Sequence, residues 1–309
     1  LITGLLLKEK RNSGQISLKN FYVRRAFRIL PACYFLLGTV FVFSLLHLTV
    51  IKPLTFFGAL FFFSNYTPIL TSYVIAHTWS LSIEEQFYLL WPTVISRFGY
   101  QRILQICFGL ILIAPIVRVF HYIAFPASRA DMWQFTHIRY DSLMMGCTIS
   151  LLKENLRFTS LCGKAIRYNL QWAAILFFWI VSPMLHRTFG GYYTMTVGYS
   201  VDALSIGLAV IWATQLQSHS ITFRFLNSRI ARHFGVLSYS LYLWQQVFTM
   251  GLSGAVSIFP LNLLCIWCAA EASYHFIEKP MLKARAHFMD GIAPQVSQLQ
   301  SPLLARSPS

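Results

Sequence analysis

Residues 77–92 read His77-Thr-Trp-Ser-Leu-Ser-Ile-Glu-Glu-Gln-Phe-Tyr-Leu-Leu-Trp-Pro92. They set two adjacent carboxylates, Glu84 and Glu85, in a largely apolar and aromatic stretch. Within a bilayer each charged carboxylate costs on the order of 3 kcal/mol by insertion scales, so a chain that keeps one there keeps it for a purpose. Whether this stretch is a span or a water-bathed loop decides both the fold and where chemistry is sought.

The rest of the chain favours a span. Of 309 residues, 56% are hydrophobic and only 11% charged, a composition that excludes disorder and covers a water-soluble globule poorly. Runs of about 20 apolar residues cross a bilayer. Eight candidates occur, at 29–51, 79–95, 103–123, 139–152, 168–186, 194–216, 236–253 and 256–277. The run 53–64, PLTFFGALFFFS, is too short to cross and suits a re-entrant or interfacial helix.

The formal charge of +15 is not a nucleic-acid footprint, because the basic residues fall between apolar runs rather than in one block. With eight alternating spans, 20 of the 25 Lys and Arg residues fall on one side, which the positive-inside rule makes cytoplasmic. The other side keeps Lys52, Arg118, Arg129, Arg139 and Arg187. Affinity for anionic membrane lipid follows. Six cysteines give no disulfide framework, and Cys265-x-x-Cys268 has no second pair to complete a metal site.

The expected fold is therefore all-α, a polytopic integral membrane helical bundle with about eight full spans, one re-entrant segment and a truncated first helix. Residues 1–278 form one membrane domain, and 279–309 a disordered cytoplasmic tail. The opening LITGLLL reads as the cytoplasmic end of a helix already under way, so part of the N-terminus is expected to be missing.

On a helix His77, Glu84 and Trp91 fall within about 20° of one another, flanked by Ser80 and Tyr88. Glu84 on that stripe can orient a histidine or act as general base toward a hydroxyl; Glu85 points about 100° away. The competing reading is a capping box, Ser82-Ile-Glu84-Glu85, in which the acids serve a helix start. In Phe21-Tyr-Val-Arg-Arg-Ala-Phe-Arg-Ile-Leu-Pro31, Arg25 and Arg28 share a helix face at the cytoplasmic edge. That geometry grips phosphates, or it is a plain positive-inside stop. Pro31 permits a helix start or kink there.

Arg139-Tyr-Asp141 opens a span on the outer side, where Asp141 is a cap or a substrate contact. Asp202 and Glu271 lie within spans and face the same burial cost, with no partner legible. Ser238-Tyr-Ser-Leu-Tyr-Leu-Trp244 anchors an interface or lines a channel. No His, Cys and carboxylate cluster has metal-ligand spacing, so no metal is expected.

Taken in order, LITGLLLKE, FYVRRAFRILP, HTWSLSIEEQFYLLWP, RYDSLMMGC, SYSLYLW and FIEKP resemble the acyltransferase-3 family of bacterial membrane O-acyltransferases. The resemblance runs nearly the whole chain and implies a ten-helix domain in the inner membrane with a cytoplasmic C-terminus. It implies transfer of an acyl group, commonly acetyl, from cytoplasmic acyl-CoA to a hydroxyl of an extracytoplasmic carbohydrate or glycolipid, lipopolysaccharide being one example. Acetyl-CoA or another acyl-CoA is then a donor substrate, and no cofactor is bound permanently. Arg25 and Arg28 match the family's Arg-x-x-Arg motif on the donor side, and Glu84 matches its characteristic acid. The family's first-helix arginine and histidine have no counterpart here, and Gln245 stands where His often follows LYLW.

The candidate sites are thus Glu84 and His77 for catalysis, Arg25 and Arg28 for the donor, and Arg139, Asp141 and Glu85 for the substrate. The rivals are a transporter or flippase of a glycan or lipid intermediate, and a catalytically dead fragment. Transporters show repeated halves or paired broken helices; neither stands out here.

Overall fold

The computed structural model describes residues 1–68, 71–252 and 254–288. Among the described residues there is no strand; a helix satisfies each backbone N–H and C=O internally, as lipid demands. The helices are α1 (Ile2–Ser13), α2 (Leu18–Leu45), α3 (Pro53–Leu60), α4 (Thr78–Arg97), α5 (Tyr100–Ala124), α6 (Thr136–Leu152), α7 (Leu156–Arg167), α8 (Leu170–Phe189), α9 (Gly191–Thr214), α10 (Ile221–Leu226), α11 (Arg229–Gln246) and α12 (Leu261–Ser273).

Four of them, α2, α5, α8 and α9, are long and apolar enough to cross a membrane. On α5 the residues Ile103, Cys107, Ala114 and Arg118 are buried, while Leu112, Ile116, Phe120 and Ile123 are exposed. The outward face is thus as apolar as the inward one, which is stable where hydrocarbon replaces water. The chain is an integral membrane protein. The runs expected at 79–95, 139–152, 236–253 and 256–277 are helical too, as α4, α6, α11 and α12.

Several boundaries differ from expectation. Helix α2 begins at Leu18, where the Ser17 side chain accepts from the Asn20 N–H at 3.3 Å, and it runs through Pro31 to Leu45. Pro31 is therefore an interior residue that removes one helical hydrogen bond, not a start. The eight residues of α3 rise about 12 Å and cannot cross. Helix α8 stops at Gly190, whose φ of 54° suits glycine and few others. Single π turns interrupt or extend the long helices at Phe177–Val181, Thr194–Gly198, Val247–Gly251 and Tyr274–Glu278. Beyond Glu278 the chain stays helical over 279–288, with Phe288 packed on Phe27 at 5.9 Å between ring centres. The first part of the expected disordered tail is thus a docked helix; the remainder, 289–309, lies outside the described residues.

The expected single membrane domain is built as two compact units. One comprises Leu1–Ile16 with Ser80–Arg232, the other Ser17–Trp79 with the chain from His233 onward. In the first, one end is tied by Lys10, whose Nζ donates to the carbonyls of Ile95, Ser96 and Phe98 at 2.6, 3.2 and 2.9 Å. Arg11 meets Glu154 at 2.5 Å and Tyr100 donates to the Leu151 carbonyl at 3.1 Å at that same end. Arg118, Asp141 and Ser200 meet at the opposite end. This pairing of ends agrees with α5, α6 and α9 alternating in direction. The second unit centres on Cys33, Leu36, Leu37 and Val40 of α2, with Ile75 and with Leu237 and Leu243 of α11.

Candidate functional site

Helix α4 starts at Thr78, so His77 precedes it and Ser82 lies buried four residues inside. The capping-box reading fails for that reason. Glu84 is exposed and Glu85 half-buried. Tyr88, one turn on, donates its hydroxyl to Glu84 Oε2 at 3.2 Å. Gln86, also half-buried, accepts from the Thr136 hydroxyl at 2.5 Å. Trp91 is a buried packing bolt: its indole N–H donates to Thr3 Oγ1 at 3.0 Å, and Thr3 donates to Cys147 Sγ at 3.3 Å.

At the far end of the first unit Arg118 and Asp141 form a wholly buried ion pair, 0% and 1% exposed. Arg118 also donates to the Ile138 carbonyl at 2.9 Å and to Ser200 Oγ at 3.0 Å, while Ser200 donates to Asp141 Oδ2 at 2.6 Å. Helix α6 begins at Thr136, so Asp141 is no cap. Its exposed area is nearly nil, and one of its oxygens is spent on Arg118 and Ser200.

Arg139 lies 4.3 Å over the Tyr199 ring, and Arg118 is 5.4 Å from the same ring. Arg139, Tyr199 and Asp202 line one end of a cavity of about 1360 Å³, and Lys8, Arg11 and Lys153 the other. From Arg139 to Lys153 the rise along α6 is about 21 Å. Asp202, whose partner the sequence did not reveal, faces this space.

In the second unit the motif-bearing stretches converge on α11. Tyr239 donates to the Ile29 carbonyl at 2.8 Å, just past the Arg25–Arg28 pair. Ser240 donates to Glu278 Oε1, and the buried Glu278 carboxylate lies in Coulombic range of the exposed Arg28. Arg25 sits 5.8 Å from the Phe21 ring. Tyr242 donates to the His77 carbonyl, and the His77 N–H donates to Gln246 Oε1 at 3.0 Å. Gln245 is exposed; the reaching glutamine is the next one. Glu271 is held between His233 Nε2 at 2.6 Å and His275 Nε2 at 3.3 Å.

His77 is 6% exposed, and its ring lies edge-on to Tyr242, 5.1 Å between centres, beside Gln246 and the Leu243 backbone. It lies in the turn before α4, and burial pushes its imidazole down to about 4, so the ring is neutral near pH 7. Reading α11 as an anchor missed Tyr239, Ser240, Tyr242 and Gln246. The available signal was the 3-4 spacing of Tyr239, Tyr242 and Gln246, which stacks three polar heads on one helix face.

Residues 1–271 match the acyltransferase-3 family, described as an acyltransferase domain. The chain is 29% identical over 315 residues to the O-acetyltransferase OatA of Staphylococcus aureus strain NCTC 8325 / PS 47, and to that of strain COL. Each match covers 92% of this chain and 50% of the relative. The chain thus spans about half the length of the curated relatives it matches. No solved structure matches it.

Proposed function

From the premise that the chain belongs to the acyltransferase-3 family, we propose that it moves an acyl group, acetyl above all, from a cytoplasmic acyl-CoA thioester to a hydroxyl of an extracytoplasmic carbohydrate or glycolipid. It does so in the bacterial cytoplasmic membrane, with its C-terminus inside. The family match over 1–271 carries the reading. A relative named as an O-acetyltransferase supports oxygen as the acceptor atom.

Arg25 and Arg28 are assigned to the donor's phosphates, a role suited to guanidinium groups one helical turn apart. Arg139 and Asp202, at one end of the cavity, are groups of the first unit assigned to a polar substrate. Glu84, with Tyr88 on its carboxylate, is the acid that supports proton removal from the acceptor hydroxyl. That oxygen attacks the thioester carbonyl, the C–S bond breaks, and the proton ends on the departing thiolate.

Replacing Glu84 with Gln tests the assignment. The expected outcome is loss of surface-glycan acetylation by about 100-fold or more, the usual weight of general base catalysis, with the amount of membrane protein unchanged. Glycan mass spectrometry reads the missing acetyl mass. Retained acetylation removes Glu84 from the mechanism.

A further inference from the structure

We propose that the cavity lined by α1, α6 and α9 seats one anionic glycerophospholipid, with its phosphate on Lys8 and Lys153 and an acyl chain along α6. Such a site stands whether or not the chain transfers an acyl group.

The cavity, about 1360 Å³, lies wholly within the first unit. It exceeds an ordinary small-molecule site, which holds about 300–1,000 Å³. Among the residues lining its basic end, four cations, Lys8, Lys10, Arg11 and Lys153, meet one acid, Glu154. Two of the four are already engaged. Lys10 is spent on three backbone carbonyls, and Arg11 is held by Glu154. Lys8 and Lys153 are exposed, and among the described residues neither makes a hydrogen bond or an ion pair. An anion completes this set. Lysine binds phosphate as a point charge, and basic pockets between membrane helices at the cytoplasmic side bind anionic lipid head groups. The positive-inside rule turns this end to the cytoplasm.

Beyond the lysines the walls are hydrocarbon. Met145 and Ile149 of α6 line the cavity with Ile206 and Val210 of α9. The two helices are close there, since a Cβ on Gly207 would lie 2.8 Å from Ile149. Gly146 borders the same space, and a Cβ on it would meet nothing within 4 Å. Phe158 and Cys162, one turn apart on α7, add apolar wall beside the basic end.

Length fits as well. Half of a bilayer's hydrocarbon is about 15 Å deep, so a chain anchored beside Lys153 ends short of Arg139, about 21 Å away along α6. Arg139 and Asp202 stay open to the polar substrate assigned to them. An acyl-CoA thioester also carries phosphates, but its arm bears amides, whose burial is costly unless they are hydrogen-bonded. Met145, Ile149, Ile206 and Val210 offer such an arm no partner. They suit an acyl chain.

The test is native mass spectrometry of the detergent-purified, delipidated protein, titrated with dioleoyl phosphatidylglycerol or dioleoyl phosphatidylcholine. One phosphatidylglycerol is expected to bind at least tenfold more tightly than phosphatidylcholine. Lys8→Gln with Lys153→Gln should weaken it about tenfold or more, the weight of two lysines at a membrane surface. Tm in lipid-free detergent should stay within about a degree of wild type. Gly146→Leu, which occupies the chain's path, should weaken it at least fivefold. Lys164→Gln with Arg167→Gln, on α7 but outside the cavity lining, should leave it within twofold.

Equal binding of the two lipids overturns the proposal, as does unchanged affinity in the Lys8 and Lys153 variant or in Gly146→Leu. An equal loss in the α7 variant also overturns it, by marking general surface attraction. Acetyl-CoA is the competing ligand. If it displaces phosphatidylglycerol and its own binding falls when Lys8 and Lys153 are changed, the cavity belongs to the donor and there is no lipid site; lipid that stays bound at saturating acetyl-CoA supports the site. Should Gly146→Leu fail to accumulate, the lysine variant decides, because both lysines are exposed and hold nothing in the fold.

Discussion

Two buried polar centres, one in each unit, are built on opposite plans. Around Arg118 the guanidinium is saturated: a carboxylate, a hydroxyl, a backbone carbonyl and an aromatic face all meet it. Around His77 the bonds go to the backbone, Gln246 taking its N–H and Tyr242 its carbonyl, and the ring rests edge-on against Tyr242 among uncharged groups. A low-dielectric interior raises the stakes of every polar group, so the first plan ties α5, α6 and α9 together while the second ties the turn before α4 to α11.

Breaking the saturated centre should have the largest effect. Removing one partner of a buried ion pair leaves an uncompensated charge, at about 3–5 kcal/mol. Arg118→Met is therefore expected to deplete folded protein in the membrane and to lower Tm sharply in detergent. The double change Arg118→Met with Asp141→Leu removes both charges and is expected to recover much of that loss. A double variant no better than the single one would mean that Ser200 and the Ile138 carbonyl, not the charge, hold the ends together.

The His77 centre should answer to pH instead. Its folded-state value of about 4 lies below the ordinary 6.5, so between those limits the unfolded chain binds more protons than the folded one. The stability contributed is fully present above about pH 6.5 and is lost as pH falls toward 4. Melting curves in detergent between pH 7.5 and 5.0 should show Tm falling on acidification. His77→Phe should flatten that slope, and an equal slope in both proteins would assign the dependence elsewhere.

The contrast also marks what the sequence could disclose. The all-helical fold rests on hydrophobic run length, which is local and additive. The exposure of Glu84 was not legible. It depends on where α4 begins, and the start at Thr78 moves His77 out of the helix and Ser82 into it. Asp141 looked like a cap because Arg118 stands 23 residues away on another helix. Gln246 is 169 residues from His77, and no spacing rule reaches that far. The polar face of α11 was visible as a pattern, but only packing turns the pattern into a grip.

A smaller effect is expected at Gly251. A methyl there would meet Val74 side-chain and backbone atoms at 2.5–3.1 Å, and overpacking of that kind costs about 1–3 kcal/mol. Gly251→Ala should lower Tm by a few degrees and, by loosening the turn before His77, increase its carbethoxylation. Gly146, with open space around its Cβ position, is the control: Gly146→Ala should leave Tm unchanged or slightly raised. If the two alanine variants behave alike, the close packing of α11 against the His77 turn is not what holds the ring.

The smallest effect is expected where a charge pair looks strongest in distance and weakest in setting. Arg11 and Glu154 meet at 2.5 Å, yet their side chains are 58% and 69% exposed. The guanidinium holds the Glu154 carboxyl below the usual carboxylate range through a hydrogen bond and its charge, but water and salt screen such pairs until little stability remains. Glu154→Gln is expected to leave Tm and membrane abundance within error of wild type, at low salt as at high. A drop approaching that of Arg118→Met would erase the distinction between the two kinds of pair. It would show that this end of the first unit is closed off from solvent in the membrane, making Arg11 a second saturated centre rather than a surface ornament.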